Sequence, residues 1–328
     1  MKETNNSTKL LSIVIPTFNR SENLRVTLEN LTNQIKTYGY TDNVEIVVSD
    51  NCSTDKSADV VKQFQETLPG TIVYNKNPEN IVWENIKKAA DLATGKFVWF
   101  CGDDDEYFFN ALQKVIKTLK ENEIDAMYLN QVNPRGYITP VEKDCTVNLK
   151  QFFEITNQDS EFISTVIIKK ELISPDITIF TWYHMACLLN MPQDSKFYIT
   201  KEPYMYNRQN AKSWSTISKN LINYTFDAID TIALSSADSE TKHRLIRSYN
   251  KNLRKRIIFA RLKSDLDEEF YKTSLTRLHE ISKHTDFDLK RNIKYLNSKF
   301  YCWFNYIIRY RKIYKKPLGK ELIYIDVV

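Results

Sequence analysis

The sequence predicts an α/β fold: a mostly parallel sheet flanked by helices, followed by a helical C-terminal region. Three observations predict it. Short apolar runs alternate with segments of helical spacing over the first 130 residues. Three of those runs end in clusters of polar side chains, as strands do where a parallel sheet meets a ligand. Beyond about residue 215 the spacing stays helical to about Lys316. Strand and helix in strict alternation suit parallel strands joined by crossover helices on both faces.

The elements follow in order. Leu11–Pro16 (LSIVIP) is a continuous apolar run closed by a proline, the pattern of a buried strand. Ser21 to about Lys36 places Leu24, Leu28, Leu31 and Ile35 on one helical face, with Ser21 as its N-cap. Val44–Ser49 is a second strand, and Asp55–Thr67 a helix carrying Val60, Val61 and Phe64. Thr71–Tyr74 is a third strand, and Val82–Leu92 a helix that stops near Gly95. Phe97–Cys101 (FVWFC), the helix Phe109–Lys120 and the strand Asp125–Leu129 complete the alternation. Further on, Phe162–Ile168 and Phe197–Thr200 read as strands and Ile177–Asn190 as a helix. This divides the chain into a domain over 1–215 and a helical domain over 216–328.

Composition narrows the class. At 42% hydrophobic and 27% charged residues the 328-residue chain is globular. The net charge of +5 is too small to argue for nucleic acid. Met1–Lys9 is polar, so no secretory leader is expected, and no run reaches the ~20 apolar residues of a membrane helix. The five cysteines are scattered without a CxxC pair, which points to reduced thiols and a cytoplasmic protein. Neither GxGxxG nor GxxxxGK[ST] occurs, which argues against dinucleotide oxidoreductases and P-loop NTPases.

The chemistry lies in the three polar clusters, Pro16-Thr17-Phe18-Asn19-Arg20, Asp50-Asn51-Cys52-Ser53-Thr54-Asp55 and Gly102-Asp103-Asp104-Asp105-Glu106. Consecutive carboxylates repel one another unless a cation or a hydrogen-bond cage compensates. Oxygen-only ligands suit Mg²⁺ or Mn²⁺, which take one or two carboxylates plus phosphate oxygens. An acidic triplet also caps helices, but the buried strand before it and the two companion clusters favour the ligand. A carboxylate at Asp50 accepts the N3–H of uracil or thymine, whereas cytosine N3 is an acceptor and makes no such bond. Taken alone, Asp50 reads as an Asx turn, and Thr17 equally as a base or ribose contact or as a turn leading into the helix.

In this order and spacing, IVIPTFNR, VVSDNCSTD and GKFVWFCGDDDEYF resemble the family 2 glycosyltransferases of the GT-A fold, with NPENIVWENIKKAADLATGKF similar to the family's third strand and helix. The resemblance is close over about 10–125 and continues to PYMYNRQNAKSWS, which looks like a loop closing over the donor in a polysaccharide-assembly branch. It implies a nucleotide-sugar donor held by Thr17, Asn19, Asp50 and Asp103, with Asp104 and Asp105 on Mn²⁺ or Mg²⁺. Arg208, Lys212 and Ser213 fall in the closing loop. Glu84-Asn85 stands where many members carry Arg-Asn, so phosphate binding falls to the metal and other residues. The Glu-Asp that usually supplies the base is absent, and its window holds Thr181-Trp182-Tyr183-His184. A histidine near its free pKa of ~6.5 accepts a proton readily, so His184 is the first candidate base, with Asp176 and Asp194 as rivals.

Leu245–Lys263 carries seven basic residues and no acidic one, and Lys290–Lys320 ten basic residues and eight aromatics. Such helices suit a membrane interface with anionic head groups and equally a helical subdomain packed on the first. The resemblance implies sugar transfer, with inversion, from a UDP- or TDP-sugar to a hydroxyl of a glycan or lipid-linked glycan acceptor. The expected setting is cell-surface polysaccharide synthesis, in the cytoplasm or peripheral at the membrane's inner face. The alternative is a catalytically impaired binding protein that docks a polysaccharide-assembly complex.

Overall fold

A computed structural model describes residues 9–133, 136–137, 141–156, 162–173, 177, 182–206, 218–249, 253, 269–270, 272–274 and 276–277. The chain divides into two compact units, residues 1–210 with 234–241, and residues 211–233 with 242–328.

The first unit is built on a sheet. Its strands are β1 (Leu11–Thr17), β2 (Val44–Asp50), β3 (Ile72–Lys76), β4 (Phe97–Phe100), β5 (Glu106–Tyr107), β6 (Ala126–Asn133), β7 (Gly136–Tyr137), β8 (Cys145–Val147), β9 (Val166–Lys169) and β10 (Phe197–Tyr206). Its helices are α1 (Ser21–Tyr38), α2 (Ser57–Thr67), α3 (Glu84–Leu92), α4 (Ala111–Glu121), α5 (Leu149–Thr156) and α6 (Tyr183–Leu189). The ten-stranded sheet runs β3-β2-β1-β4-β9-β6-β10-β5, with β7 on β6 and β8 on β10. The four strands β3-β2-β1-β4 are mutually parallel, as the alternation requires. Beyond β4 the sheet is mixed, because β9 lies antiparallel between β4 and β6 while β10 runs parallel to β6.

The chain winds from β1 outward through β2 to β3, then returns to place β4 on the other side of β1. Strand order reverses between β1 and β4, the point at which open α/β sheets bind ligands outside the carboxyl ends of their strands. All three polar clusters begin at or just after such carboxyl ends.

β2 is buried along its whole length, which is why VEIVVS shows no alternation. On α1 the predicted face, Leu24, Leu28, Leu31 and Ile35, is buried, and the helix ends at Gly39 with φ 67°. There the Tyr40 amide donates to the Ile35 carbonyl at 2.9 Å, a C-terminal cap that favours glycine. Ser21 does not cap α1: the helix starts at Ser21, and the preceding Arg20 makes no side-chain cap. The Ser21 amide instead donates to Asp55 Oδ2 at 2.8 Å, so a carboxylate 34 residues on satisfies the helix N-terminus. The strand expected over Phe162–Ile168 is half a strand, since Ile163–Thr165 forms a 3-10 turn before β9. The helix expected from Ile177 is described from Tyr183, and residues 178–181 lie outside the described set.

At the opposite end of the sheet Glu45 ties three segments together. Its Oε1 accepts from Ser12 Oγ at 2.5 Å, from the Thr94 amide at 2.6 Å and from Thr94 Oγ1 at 2.9 Å. Ser12 Oγ in turn accepts from the Gly95 amide at 2.8 Å. A Cβ on Gly95 would lie 2.7 Å from the Ser12 nitrogen and 2.8 Å from the Leu11 carbonyl carbon, both backbone. Gly95→Ala is therefore expected to destabilise the fold by about 1–3 kcal/mol. A thermal melt checks it: an unchanged midpoint would show that the β1–β4 edge yields freely.

α7 (Ser218–Leu234) falls in the second unit but for its last residue, and the helix over 239–249 belongs to that unit from Lys242. Arg277 pairs with Asp227 at 3.2 Å and Asp230 at 2.5 Å, and its guanidinium lies 4.8 Å from the centre of the Phe226 ring. Among the described residues no helix is long and apolar enough to cross a membrane. The basic, aromatic run over 290–320 lies outside the described residues.

Candidate active site

The first two clusters are latched to each other. Thr17 ends β1 in register with Asp50 at the end of β2, and the Asn51 amide donates to the Thr17 carbonyl at 2.9 Å. Asn19 has φ 51°, a left-handed conformation that asparagine tolerates better than most residues. Its amide donates to Ser53 Oγ at 2.8 Å, and its Oδ1 accepts from the Thr54 amide at 2.8 Å. Asn19 thus spends its side chain holding the second cluster in place. Asp55 closes the same latch from the other side, bonded by the Ser21 and Ser57 amides and by Ser57 Oγ. Burial would raise its carboxyl, but these hydrogen bonds outweigh it and hold it below its ordinary range.

Asp50 has no solvent exposure. One oxygen accepts from the Ser53 amide at 2.8 Å and the other from the Tyr74 hydroxyl at 2.6 Å. Burial, then that bond and the charge of Asp50, push the Tyr74 hydroxyl well above its ordinary pKa, so it stays a donor. Lys76, two residues along β3, donates to the Ser53 carbonyl at 2.7 Å.

The third cluster is the tightest. Thr17 Oγ1 donates to Asp103 Oδ2 at 2.7 Å. The Arg20 guanidinium forks across the pair, Nη1 on Asp103 Oδ1 and Nη2 on Asp104 Oδ2, each at 2.6 Å. Such short charge-assisted contacts are strong and directional. Asp105 accepts on Oδ2 from Ser164 Oγ, which also accepts from the Gly102 amide at 2.8 Å. A Cβ on Gly102 would meet Asp105 Oδ2 at 2.7 Å, so the turn needs a glycine for this close approach. Thr27 on α1 donates to the Asp103 carbonyl at 2.9 Å and fixes the turn from below.

All three aspartates are buried. Burial pushes the Asp103 carboxyl up to about 6, with Arg20 opposing the rise and Asp104 adding to it. On Arg20 burial acts to lower the pKa, but the charges of Asp103 and Asp104 prevail and raise it. Among the described residues no group of three or more His, Cys, Asp or Glu side chains is placed to hold a metal alone. The donor set fits a hard cation that completes its shell with ligand phosphate oxygens.

His184 lies in the first turn of α6 and is 4% exposed, with its ring 6.1 Å from that of Trp182. Its neighbour Tyr183 packs edge-on to Phe100 at 6.2 Å, so α6 begins beside the end of β4. Asp194 is exposed in the turn before β10. Asp176, Arg208, Lys212 and Ser213 lie outside the described residues. The chain does reach Tyr206 beside the site: Tyr206 pairs with Glu106, next to Asp105. Sequence reasoning passed over Arg20, Tyr74 and Ser164. Arg20 carried a signal, as the one basic side chain in a polar cluster that faces an acidic one. Tyr74 and Ser164 carried none.

The strand order and its flanking helices define an α/β domain of the GT-A type. Residues 12–169 match the family model described as Glycosyl transferase family 2. A GalNAc(5)-diNAcBac-PP-undecaprenol beta-1,3-glucosyltransferase of Campylobacter jejuni is 29% identical over 206 residues, 60% of this chain. The match spans 64% of that relative, less than two thirds of its length. Staphylococcus aureus TarS 1–349, solved in complex with UDP-GlcNAc, shares the fold with a TM-score of 0.64 at 17% identity, covering 91% of both chains. The mannosyltransferase PcManGT of Pyrobaculum calidifontis, solved with GDP-Man and Mn²⁺, gives 0.52 at 14% identity, covering 95% of this chain and 89% of the other.

Proposed function

We propose that this chain transfers a sugar from a UDP- or TDP-sugar to a hydroxyl of a glycan or lipid-linked glycan acceptor in bacterial cell-surface glycan synthesis. One observation carries the reading. Thr17, Arg20, Asp103 and Asp104 form a single hydrogen-bonded unit where strand order reverses, with Asp50 in register beside Thr17. The ligands in the TarS and PcManGT structures are nucleotide sugars, and the C. jejuni relative is named for a lipid-linked acceptor. Both support the substrate classes.

In this reading Asp50 and Thr17 take the nucleobase, Asn19 holds the base-side loop, and Asp103 takes the ribose. Asp104 and Asp105 would hold Mn²⁺ or Mg²⁺, whose Lewis acidity lowers the energy of the leaving diphosphate. Arg208, Lys212 and Ser213 are the candidate phosphate contacts that the resemblance implies. The acceptor oxygen attacks the anomeric carbon as the bond to the diphosphate breaks. The electron pair leaves with the diphosphate, the hydroxyl proton passes to His184 or Asp176, and the configuration inverts. A lipid-linked acceptor would suit a cytoplasmic protein, peripheral at the inner face of the membrane, with the C-terminal basic region as its contact to the lipid.

A thermal-shift screen against UDP-, TDP-, GDP- and CDP-sugars, each with and without Mn²⁺, tests the donor assignment. Stabilisation by a uracil or thymine nucleotide that requires Mn²⁺ is the expected result. No response to any donor, with or without an acceptor glycan, would overturn it in favour of a docking protein without turnover.

A further inference from the structure

We infer that Arg20 is an exchangeable counter-cation: it holds Asp103 and Asp104 while the site is empty and passes to the donor's diphosphate when a divalent cation takes those carboxylates. The inference rests on the nucleotide-sugar reading for the identity of the second anion, and on geometry for the first. Both terminal guanidinium nitrogens are committed, one to each carboxylate, at 2.6 Å. A metal on either carboxylate sits beside one of these contacts and weakens it, because the two cations repel at such range. The displaced guanidinium has somewhere to go. Its side chain is 33% exposed, whereas those of Asp103 and Asp104 are 5% and 11% exposed, so the cation is open to solvent and the carboxylates lie beneath it.

The anchoring of the site agrees. Asp103 keeps the Thr17 bond at 2.7 Å, and the turn keeps Thr27 and Ser164, when Arg20 lets go. The carboxylates therefore stay in position, and only the long arm between β1 and α1 moves. A forked guanidinium matches a phosphate as well as a carboxylate. The exchange replaces one charge-assisted pair by another, so metal and diphosphate each favour the other's binding. Such coupling is reciprocal and typically amounts to about 5–150-fold.

The test measures Mn²⁺ binding by electron paramagnetic resonance, alone and with UDP or inorganic pyrophosphate, in the wild type, Arg20→Gln and Arg20→Lys. Mn²⁺ alone is expected to bind Arg20→Gln about tenfold more tightly than the wild type, since its competitor is gone. At saturating Mn²⁺, UDP and pyrophosphate are expected to bind it about tenfold more weakly. The opposite signs are diagnostic, because an arginine that merely props the turn would weaken both. Arg20→Lys keeps the charge but not the fork, so it shifts both affinities in the same directions by less, and it serves if the glutamine variant does not fold. Weaker or unchanged Mn²⁺ binding without diphosphate, or unchanged diphosphate affinity, overturns the exchange. A wild type that couples Mn²⁺ to pyrophosphate through Arg20 yet binds no nucleotide sugar leaves the exchange standing and refutes the donor reading instead.

Discussion

Asp104→Asn is expected to abolish the Mn²⁺-dependent part of donor binding and to lower turnover about 10²–10³-fold, or roughly 2.7–4 kcal/mol of transition-state stabilisation. The substitution keeps the shape and removes one negative charge and one acceptor. Arg20 retains its contact to Asp103 at 2.6 Å, and Asp103 retains Thr17. The fold is not expected to suffer. Asp104's charge is one of the causes that push the Asp103 carboxyl up to about 6, so removing it relieves a repulsion between buried groups. The variant also loses the charge of the Arg20–Asp104 pair at 2.6 Å, so the ligand-free thermal midpoint should stay close to that of the wild type. Donor-induced shifts with and without Mn²⁺, read beside product formation, check both halves. A variant that kept wild-type, metal-dependent donor affinity would remove the metal from Asp104. One that lost binding together with several degrees of stability would show Asp104 to be structural.

Much of this was readable from side-chain type alone. Burial on both faces made β1, β2 and β4 apolar runs, and the end of each run located a loop at the carboxyl edge of the sheet. Strand order was not readable, and strand order makes the site. Thr17 reaches Asp103 because β4 returns to the flank of β1, a fact of topology that neither segment encodes locally. The same limit hid Arg20, whose partners lie 83 and 84 residues away. It also reversed the reading of Ser21, since a serine at a helix start suggests self-capping and the actual partner is Asp55. Ser164 was concealed differently. FISTVII has strand composition throughout, yet its first half turns as a 3-10 helix that sets Ser164 against Gly102 and Asp105. Tertiary packing decides such short β-branched stretches against their intrinsic preference.

Asp50→Asn is expected to erase the preference for uracil over cytosine nucleotides and to cost about 1–3 kcal/mol of stability. Both carboxylate oxygens accept from fixed donors, the Ser53 amide at 2.8 Å and the Tyr74 hydroxyl at 2.6 Å. An amide in this place sets its NH₂ against one of those donors, and a buried donor facing a donor is left unpaired. The same NH₂ suits cytosine N3, an acceptor, and repels the N3–H of uracil, so the change should narrow the ratio of UDP to CDP affinity from both ends. Tyr74→Phe separates the two effects. It removes a hydroxyl that shares Asp50 with any incoming base and leaves the charge of Asp50 unchanged. Because Asp50 has no solvent exposure, a base reaches it only as a neighbour yields, and the phenol at 2.6 Å is the neighbour with a side chain to swing. Tyr74→Phe should therefore keep the uracil preference, with UDP affinity equal to or above the wild type. Isothermal titrations of UDP and CDP into the three proteins, each with a melting curve, decide the matter. If Asp50→Asn loses stability while the UDP to CDP ratio stays at its wild-type value, Asp50 serves the loop and not the base.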